Sequence, residues 1–289
     1  MEADRMQYVP ATHPENLKQL LKRSFWLYKT VFFKVFLFAV LLAFVTFTPR
    51  MIALTHHKDI FYGIPLYHPL RFVILAVDIL GLILFAILLE RIRSVMDKTH
   101  ETVGEDIKFS LKKIPLIFCA ALIQSFIFTV MSMAVIGFYY FLHSHNLLAT
   151  TSRIHIFLVT LPVVFQLFFN IYIFILFVYY LPLIITENKG ILSSLGKSAR
   201  LVWGNWWRTF KTQISPWVVY FIVLIVVRYA LKINIHIYFL GMDELSWRAT
   251  IIQIILFVTF IPWSAATLMV QMRDLEFRKS NQTAQENQP

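Results

Sequence analysis

The stretch IPLIFCAALIQSFIFTVMSMAVIGFYYFL, residues 114–142, contains no Asp, Glu, Lys or Arg in 29 positions. A second stretch, IHIFLVTLPVVFQLFFNIYIFILFVYYLPLIIT, residues 154–186, contains none in 33. A helix crosses the hydrocarbon core of a bilayer with about 20 apolar residues. Both stretches exceed that length, so both are expected to tilt or project. The runs 31–47, 72–89 and 212–231 hold one charge each, Lys34, Asp78 and Arg228, and 249–272 holds none, which gives further spans over about 31–54, 70–89, 212–234 and 249–272. The expectation is an all-α integral membrane protein with six transmembrane helices. Pro162, Pro182 and Pro262 fall near helix ends or mark kinks.

The composition of the whole chain agrees. Its 289 residues are 58% hydrophobic, 16% aromatic and 15% charged, and mean hydropathy is +0.66. Soluble domains carry about 25% charged residues, and one soluble core could not bury 28 Phe, 12 Tyr and 7 Trp. A disordered chain, a collagen and a disulfide scaffold are excluded; Cys119 is the single cysteine. The net charge of +11 is read as basic loops facing anionic lipid rather than nucleic acid. Residues 1–30 mix basic and acidic side chains with no early apolar core, so no cleaved signal peptide is expected there.

Lys and Arg are distributed unevenly. The N-terminal segment, the loops after spans two and four, and the C-terminal tail hold 19; the alternate loops hold 6. The positive-inside rule puts both termini in the cytoplasm. Each odd-numbered span is preceded by a basic segment with helical periodicity. In residues 190–211, Leu192, Leu195, Ala199, Val202, Trp206 and Phe210 share one face at 100° per residue. Lys197, Arg200, Arg208 and Lys211 share the other, as expected of a helix lying in the interface. Gly204 and Asn205 are expected to turn the chain into span five. In the cytoplasmic segment 1–30, Thr12 and Glu15 have the spacing of a capping box. Leu17, Leu20, Leu21 and Tyr28 then face away from Lys18, Lys22 and Lys29. Residues 273–289 read as a disordered cytoplasmic tail. Aligning Ser24 with Ser198, with Ser110 between, gives spacings of 86 and 88 residues. This suggests a threefold hairpin repeat, each copy an interfacial helix, a span, an outer loop and a returning span. Any hairpin protein obeying the positive-inside rule produces some such period, which is the simpler explanation.

Glu187-Asn188-Lys189-Gly190, the run Leu195-Gly196-Lys197-Ser198-Ala199-Arg200-Leu201, and Gly204-Asn205-Trp206-Trp207-Arg208-Thr209-Phe210 together resemble the YciC-type bacterial inner-membrane proteins. They also resemble the related membrane domain of some glycerophosphodiester phosphodiesterases. The resemblance covers about 25 residues and implies an all-helical inner-membrane fold. It implies no activity, because the phosphodiesterase chemistry belongs to a separate soluble barrel that has no counterpart in this chain.

Candidate chemistry is sparse. Gly190 and Gly196-Lys197-Ser198 imitate a phosphate loop, but five residues separate the glycines and no strand precedes them. His56, His57, His68, His143, His145, His155 and His236 gather toward the outer side without the carboxylates of a zinc motif, so no metal or cofactor is expected. Gln124, Gln166, Asn170 and Gln253 are a candidate polar intramembrane face, either bonding across helices or lining a substrate path. Asp78 and Arg228 each lie about 10 Å inside the outer face at 1.5 Å per residue. They are a candidate intramembrane ion pair; the competing arrangement has Arg228 snorkelling and Asp78 protonated or held by hydroxyls. Lys197, Arg200, Trp206, Trp207, Arg208 and Lys211 are candidate lipid-headgroup contacts. With no paired-carboxylate or Ser-His-Asp constellation, the expectation is a non-enzymatic inner-membrane protein that interacts with anionic lipid or maintains the envelope. The alternatives are a transporter or channel for a small solute, and an accessory subunit of a membrane enzyme.

Overall fold

A computed structural model describes residues 14–56, 69–99, 102–144, 153–187, 190–232 and 246–286. The described secondary structure is helical: α1 Leu17–His56, α2 Pro69–Met96, α3 Val103–Ser144, α4 Arg153–Leu176, α5 Tyr180–Glu187, α6 Ile191–Val202, α7 Trp206–Leu231 and α8 Trp247–Glu286. Six stretches are long and apolar enough to cross a membrane, α4 and α5 together forming one of them. The chain is an all-α multi-pass membrane protein.

Three boundaries differ from the sequence expectation. The basic segments before spans one and three are continuous with those spans: α1 runs 40 residues without a break, about 60 Å at 1.5 Å per residue, and α3 runs 42 from Val103. α1 starts at a capping box one turn later than expected. The Asn16 N–H donates to Gln19 Oε1 at 3.0 Å, and the Gln19 N–H to Asn16 Oδ1 at 2.8 Å. Thr12 lies outside the described residues, and the Glu15 carboxylate pairs with Arg23 instead of capping. The second difference is at the tail. α8 continues as helix through Glu286, because Asp274 and Leu275 are buried and hold it against the fold. Third, the span expected over 154–186 is interrupted. Pro182 has no N–H for the Val178 carbonyl and its ring crowds that turn, and the helix opens at residues 177–179. The Ser198 hydroxyl fills the gap, accepting from the Tyr179 N–H at 3.1 Å and donating to the Leu176 carbonyl at 2.9 Å.

The chain divides into two compact units. The first comprises residues 1–114 and 207–289. In it α1 packs on α2 and α8, and α2 also packs on α8. Leu27, Val31, Val35, Ala39 and Ala43 recur every fourth residue of α1 and are fully buried, as are Ala265, Ala266 and Met269 on α8. The alanines among them, Ala39, Ala43, Ala265 and Ala266, let helix backbones approach closely where lipid supplies no hydrophobic drive. α7 joins through an aromatic seam, with the Tyr220 and Phe260 rings 5.7 Å apart around a core of Tyr220, Leu224 and Ala249.

The second unit, residues 115–206, holds most of α3 together with α4, α5 and α6. Its interior is small. Tyr179, Leu183, Ile184 and Ile185 are buried, and α5 packs on α6. Phe126, Met133, Ile136, Phe165 and Phe168 are each more than 60% exposed, a surface suited to acyl chains.

Candidate functional site

The two halves of the segment 190–211 behave differently. Gly204 has φ +81°, a conformation that glycine adopts without steric cost. It ends α6, so helical phase does not carry into α7. The buried face of α6 is Ser194, Leu195, Ser198, Leu201 and Val202, while Leu192 is 77% exposed. This replaces the face expected for a continuous helix. Of the candidate headgroup contacts, Arg200, Trp207 and Lys211 are exposed. Trp203, not singled out from sequence, is 68% exposed, as is Trp207. The others turn inward. Trp206 stacks on Tyr172 at 5.6 Å and donates its indole N–H to the Tyr172 carbonyl at 3.2 Å. Lys197 pairs with Glu187.

Arg208 is the main correction. Its guanidinium lies in a network of the first unit, built on Asp274 of α8. Asp274 Oδ2 accepts from Arg208 at 2.9 Å and from Arg278 at 3.0 Å. Asp274 Oδ1 accepts from the Glu15 N–H at 3.0 Å. Both arginines also donate to the Glu15 carbonyl, each at 2.5 Å. The Glu15 carboxylate pairs with Arg23 through Oε1 at 2.6 Å. Asp274 and Glu15 are 3% and 4% exposed. Deeper, the Gln213 side chain donates to Gln271 Oε1 at 2.6 Å. The network therefore ties the start of α1 to α7 and α8. Charge-assisted bonds with the negative partner buried are the strong class of hydrogen bond.

Beside the network is a cavity of about 390 Å³, whose wall includes Glu15, Arg23, Met96, Val270, Arg273 and Phe277. Arg273 pairs with Asp97 at 3.0 Å, with both side chains 40–45% exposed. A second ionic cluster of the same unit joins α2 to the start of α3. Buried Glu90 pairs with Arg93 at 2.5 Å, and buried Asp106 with Arg91 at 2.8 Å. The rings and cations interleave here too, with Arg93 and Lys113 over Phe109 at 5.1 and 5.2 Å.

Sequence reasoning overlooked these acids. Their signal was their scarcity and position. The chain has only 16 acidic residues, and Glu90, Glu187 and Asp274 each follow within two residues of an even-numbered span's apolar run.

The intramembrane candidates separate. Gln253 is 3% exposed and accepts from Arg50 at 2.7 Å, in the first unit. Arg50, inside the span expected over 31–54, is a buried residue of α1. In the second unit Gln166 donates to the Ser132 hydroxyl at 2.7 Å, Gln124 is half-buried, and the buried Asn170 Oδ1 has no donor among the described residues. The expected ion pair is not formed. Asp78 is exposed on α2 and Arg228 is half-buried on α7. No ion pair among the described residues joins them, because α2 packs on α1 and α8 while α7 packs on α8. His57, His68, His145 and His236 lie outside the described residues, as do the side chains of His56, His143 and His155.

The repeat register has structural counterparts. The three helices that precede odd spans start after Asn16, Thr102 and Gly190, with the spacings of Ser24, Ser110 and Ser198. Thr102 and Glu105 form a second capping box, with the Thr102 N–H donating to Glu105 Oε2 at 2.7 Å and the Glu105 N–H to Thr102 Oγ1 at 3.3 Å. All three serines are fully buried. No family model, curated protein or solved structure matches the chain.

Proposed function

We propose that this chain is a non-enzymatic, lipid-interacting protein of the bacterial inner membrane, with both termini cytoplasmic and a role in maintaining the envelope. The observation that carries the reading is that each compact unit exposes tryptophan and basic side chains next to the turn at Gly204. Leu192, Arg200 and Trp203 are exposed on and after α6, and Trp207 and Lys211 on α7. Tryptophan favours the membrane–water interface, and each surface Lys or Arg gains about 1 kcal/mol against anionic lipid. The resemblance to YciC-type proteins supports the same membrane and the same class.

Native mass spectrometry of the purified chain tests the reading. Wild type should retain anionic lipids, and a variant with Arg200→Gln, Trp203→Ala, Trp207→Ala and Lys211→Gln should retain markedly fewer, most clearly at low salt. Equal retention by both would overturn it, and a retained small polar solute would favour transport. Topology is tested separately in a Cys119→Ser background, since Cys119 is exposed. A cysteine at Gln285 should resist an impermeant reagent in intact cells, and one at His145 should react.

A further inference from the structure

Two charges inside the apolar spans of the first unit have no counter-charge. Asp78 is exposed on α2 and Arg228 is half-buried on α7. Among the described residues neither meets an opposite charge or a hydrogen-bond partner. The other acids make the contrast: Glu15, Glu90, Asp97, Asp106 and Asp274 of the same unit each hold an arginine. A lone charge in hydrocarbon is costly, and intramembrane charges are as a rule paired or turned into the protein. Asp78 is neither. Large apolar side chains beside the two charges are exposed as well, Leu75 on α2 and Ile225 and Tyr229 on α7. The two charges also lie at comparable depth. Gly81, three residues past Asp78, faces Leu42 and Val45 of α1. Leu224, four residues before Arg228, clusters with Ala249 and Ile252 of α8, and the adjoining Gln253 bonds Arg50 of α1. Both charges therefore stand near the level of Phe47 to Arg50 of α1, within about two helical turns of each other. Within one copy they do not meet, because α2 packs on α1 and α8 while α7 packs on α8.

We propose that a second copy of this chain supplies the missing partner: Asp78 on α2 of one copy pairs with Arg228 on α7 of the other. Each copy brings one acid and one base, so a closed assembly satisfies every charge. A two-fold dimer forms the pair twice, and a cyclic ring forms it once per interface. Lipid does not offer the same solution. Arg228 can reach toward phosphates by its long stem, but a short aspartate side chain has no such route. A basic helix of a different protein would serve Asp78 and leave Arg228 alone, whereas a second copy serves both. Carboxylate and guanidinium form the strong, charge-assisted class of hydrogen bond. No water competes for them in hydrocarbon, and the low dielectric strengthens their attraction. The inference goes beyond lipid binding at residues 192–211 and uses none of those residues.

Full-length copies carrying two different affinity tags are co-expressed, extracted in mild detergent and captured through one tag. Wild-type copies should bring each other through. Asp78→Arg under both tags, and Arg228→Asp under both tags, should each lower capture of the second tag about tenfold or more, because like charges then face each other at every contact. Asp78→Arg under one tag with Arg228→Asp under the other should restore capture, since only the mixed pair sets an acid against an arginine at both contacts. Where a variant alone is poorly recovered, its recovery on co-expression is the same readout, because rescue between chains requires contact between chains. A second measurement keeps both charges. In a Cys119→Ser background, Leu75→Cys under one tag and Tyr229→Cys under the other should be joined by a short bis-maleimide. Phe33→Cys on α1, also exposed, should not be joined to Tyr229→Cys. Capture of a single tag from wild type overturns the proposal, as does capture that the single substitutions leave unchanged or that the mixture fails to restore. Lipid retention by the same variants, read separately, should match wild type, so this proposal and the lipid reading fail independently.

Discussion

The start of α1 and the whole of α6 share a register but differ in how the chain continues past the shared serine. Each begins after a cap position, Asn16 or Gly190, and buries a serine eight residues later, Ser24 or Ser198. Each carries a basic residue just before that serine, paired with an upstream acid: Arg23 with Glu15, and Lys197 with Glu187. Beyond this point α1 continues unbroken through Lys29 and Val31, whereas the equivalent positions after α6, Trp203 and Asn205, form a turn around Gly204. The serines then take different work. Ser24 donates to the Leu21 carbonyl of its own helix at 2.9 Å and accepts a longer bond from the Trp263 indole of α8 at 3.4 Å, while Ser198 closes the gap between α4 and α5. One residue able to occupy positive φ converts a continuous helix into a broken one, and the polar side chains are redistributed accordingly.

The largest test acts on the residue that joins the start of α1 to the start of α7. Asp274 accepts the Glu15 N–H from the one and the Arg208 guanidinium from the other. Asp274→Ala leaves Arg208 and Arg278 without their carboxylate and should cost about 3–5 kcal/mol, the range for removing one partner of a buried ion pair. Thermal unfolding in detergent measures it; a loss under about 1 kcal/mol would mean that the network behaves as a solvent-exposed pair.

The serines come next. Ser198→Ala orphans the buried Tyr179 N–H and should cost about 1–3 kcal/mol. Ser24→Ala removes a bond within its own helix, which adds little, and a 3.4 Å bond from the Trp263 indole, at the long limit of hydrogen-bond geometry, so it should cost less than Ser198→Ala. Equal losses would show that the shared register imposes a shared role.

Gly204→Ala probes the turn directly. No atom lies within 4 Å of an added Cβ, so the cost is conformational alone, about 1–2 kcal/mol for a left-handed residue with a side chain. The smallest effect has the opposite sign. Gly196 sits inside α6 with open space around it, and Gly196→Ala should stabilise by about 0.5–1 kcal/mol. A loss there would mean that the position is covered in the membrane.

The spans were legible because charge is so costly in hydrocarbon that its absence over 29 or 33 residues leaves few alternatives. The turn at Gly204 and Asn205 was legible from local chemistry, and the serine spacing from periodicity. The candidate site was much less so. Helical phase assigns Arg208 to the lipid side, but phase is lost across a turn. The distance from Thr12 makes Glu15 a cap, yet its carboxylate pairs with Arg23 and its backbone N–H with Asp274, 259 residues away. Asp78 and Arg228 match in depth, and depth says nothing about which helices are neighbours.

By itself the sequence determined the number of spans, the sites of the basic segments and the even spacing of Ser24, Ser110 and Ser198. These follow from the local cost of exposing backbone or charge to lipid, and that cost is additive along the chain. Only the tertiary structure decided which acid meets which arginine, that Arg50 is buried against Gln253, and that a cavity stands between Glu15 and Arg273. Those outcomes depend on which helices pack together and on their rotation. Packing is a property of pairs of surfaces distant in sequence, so no local pattern encodes it.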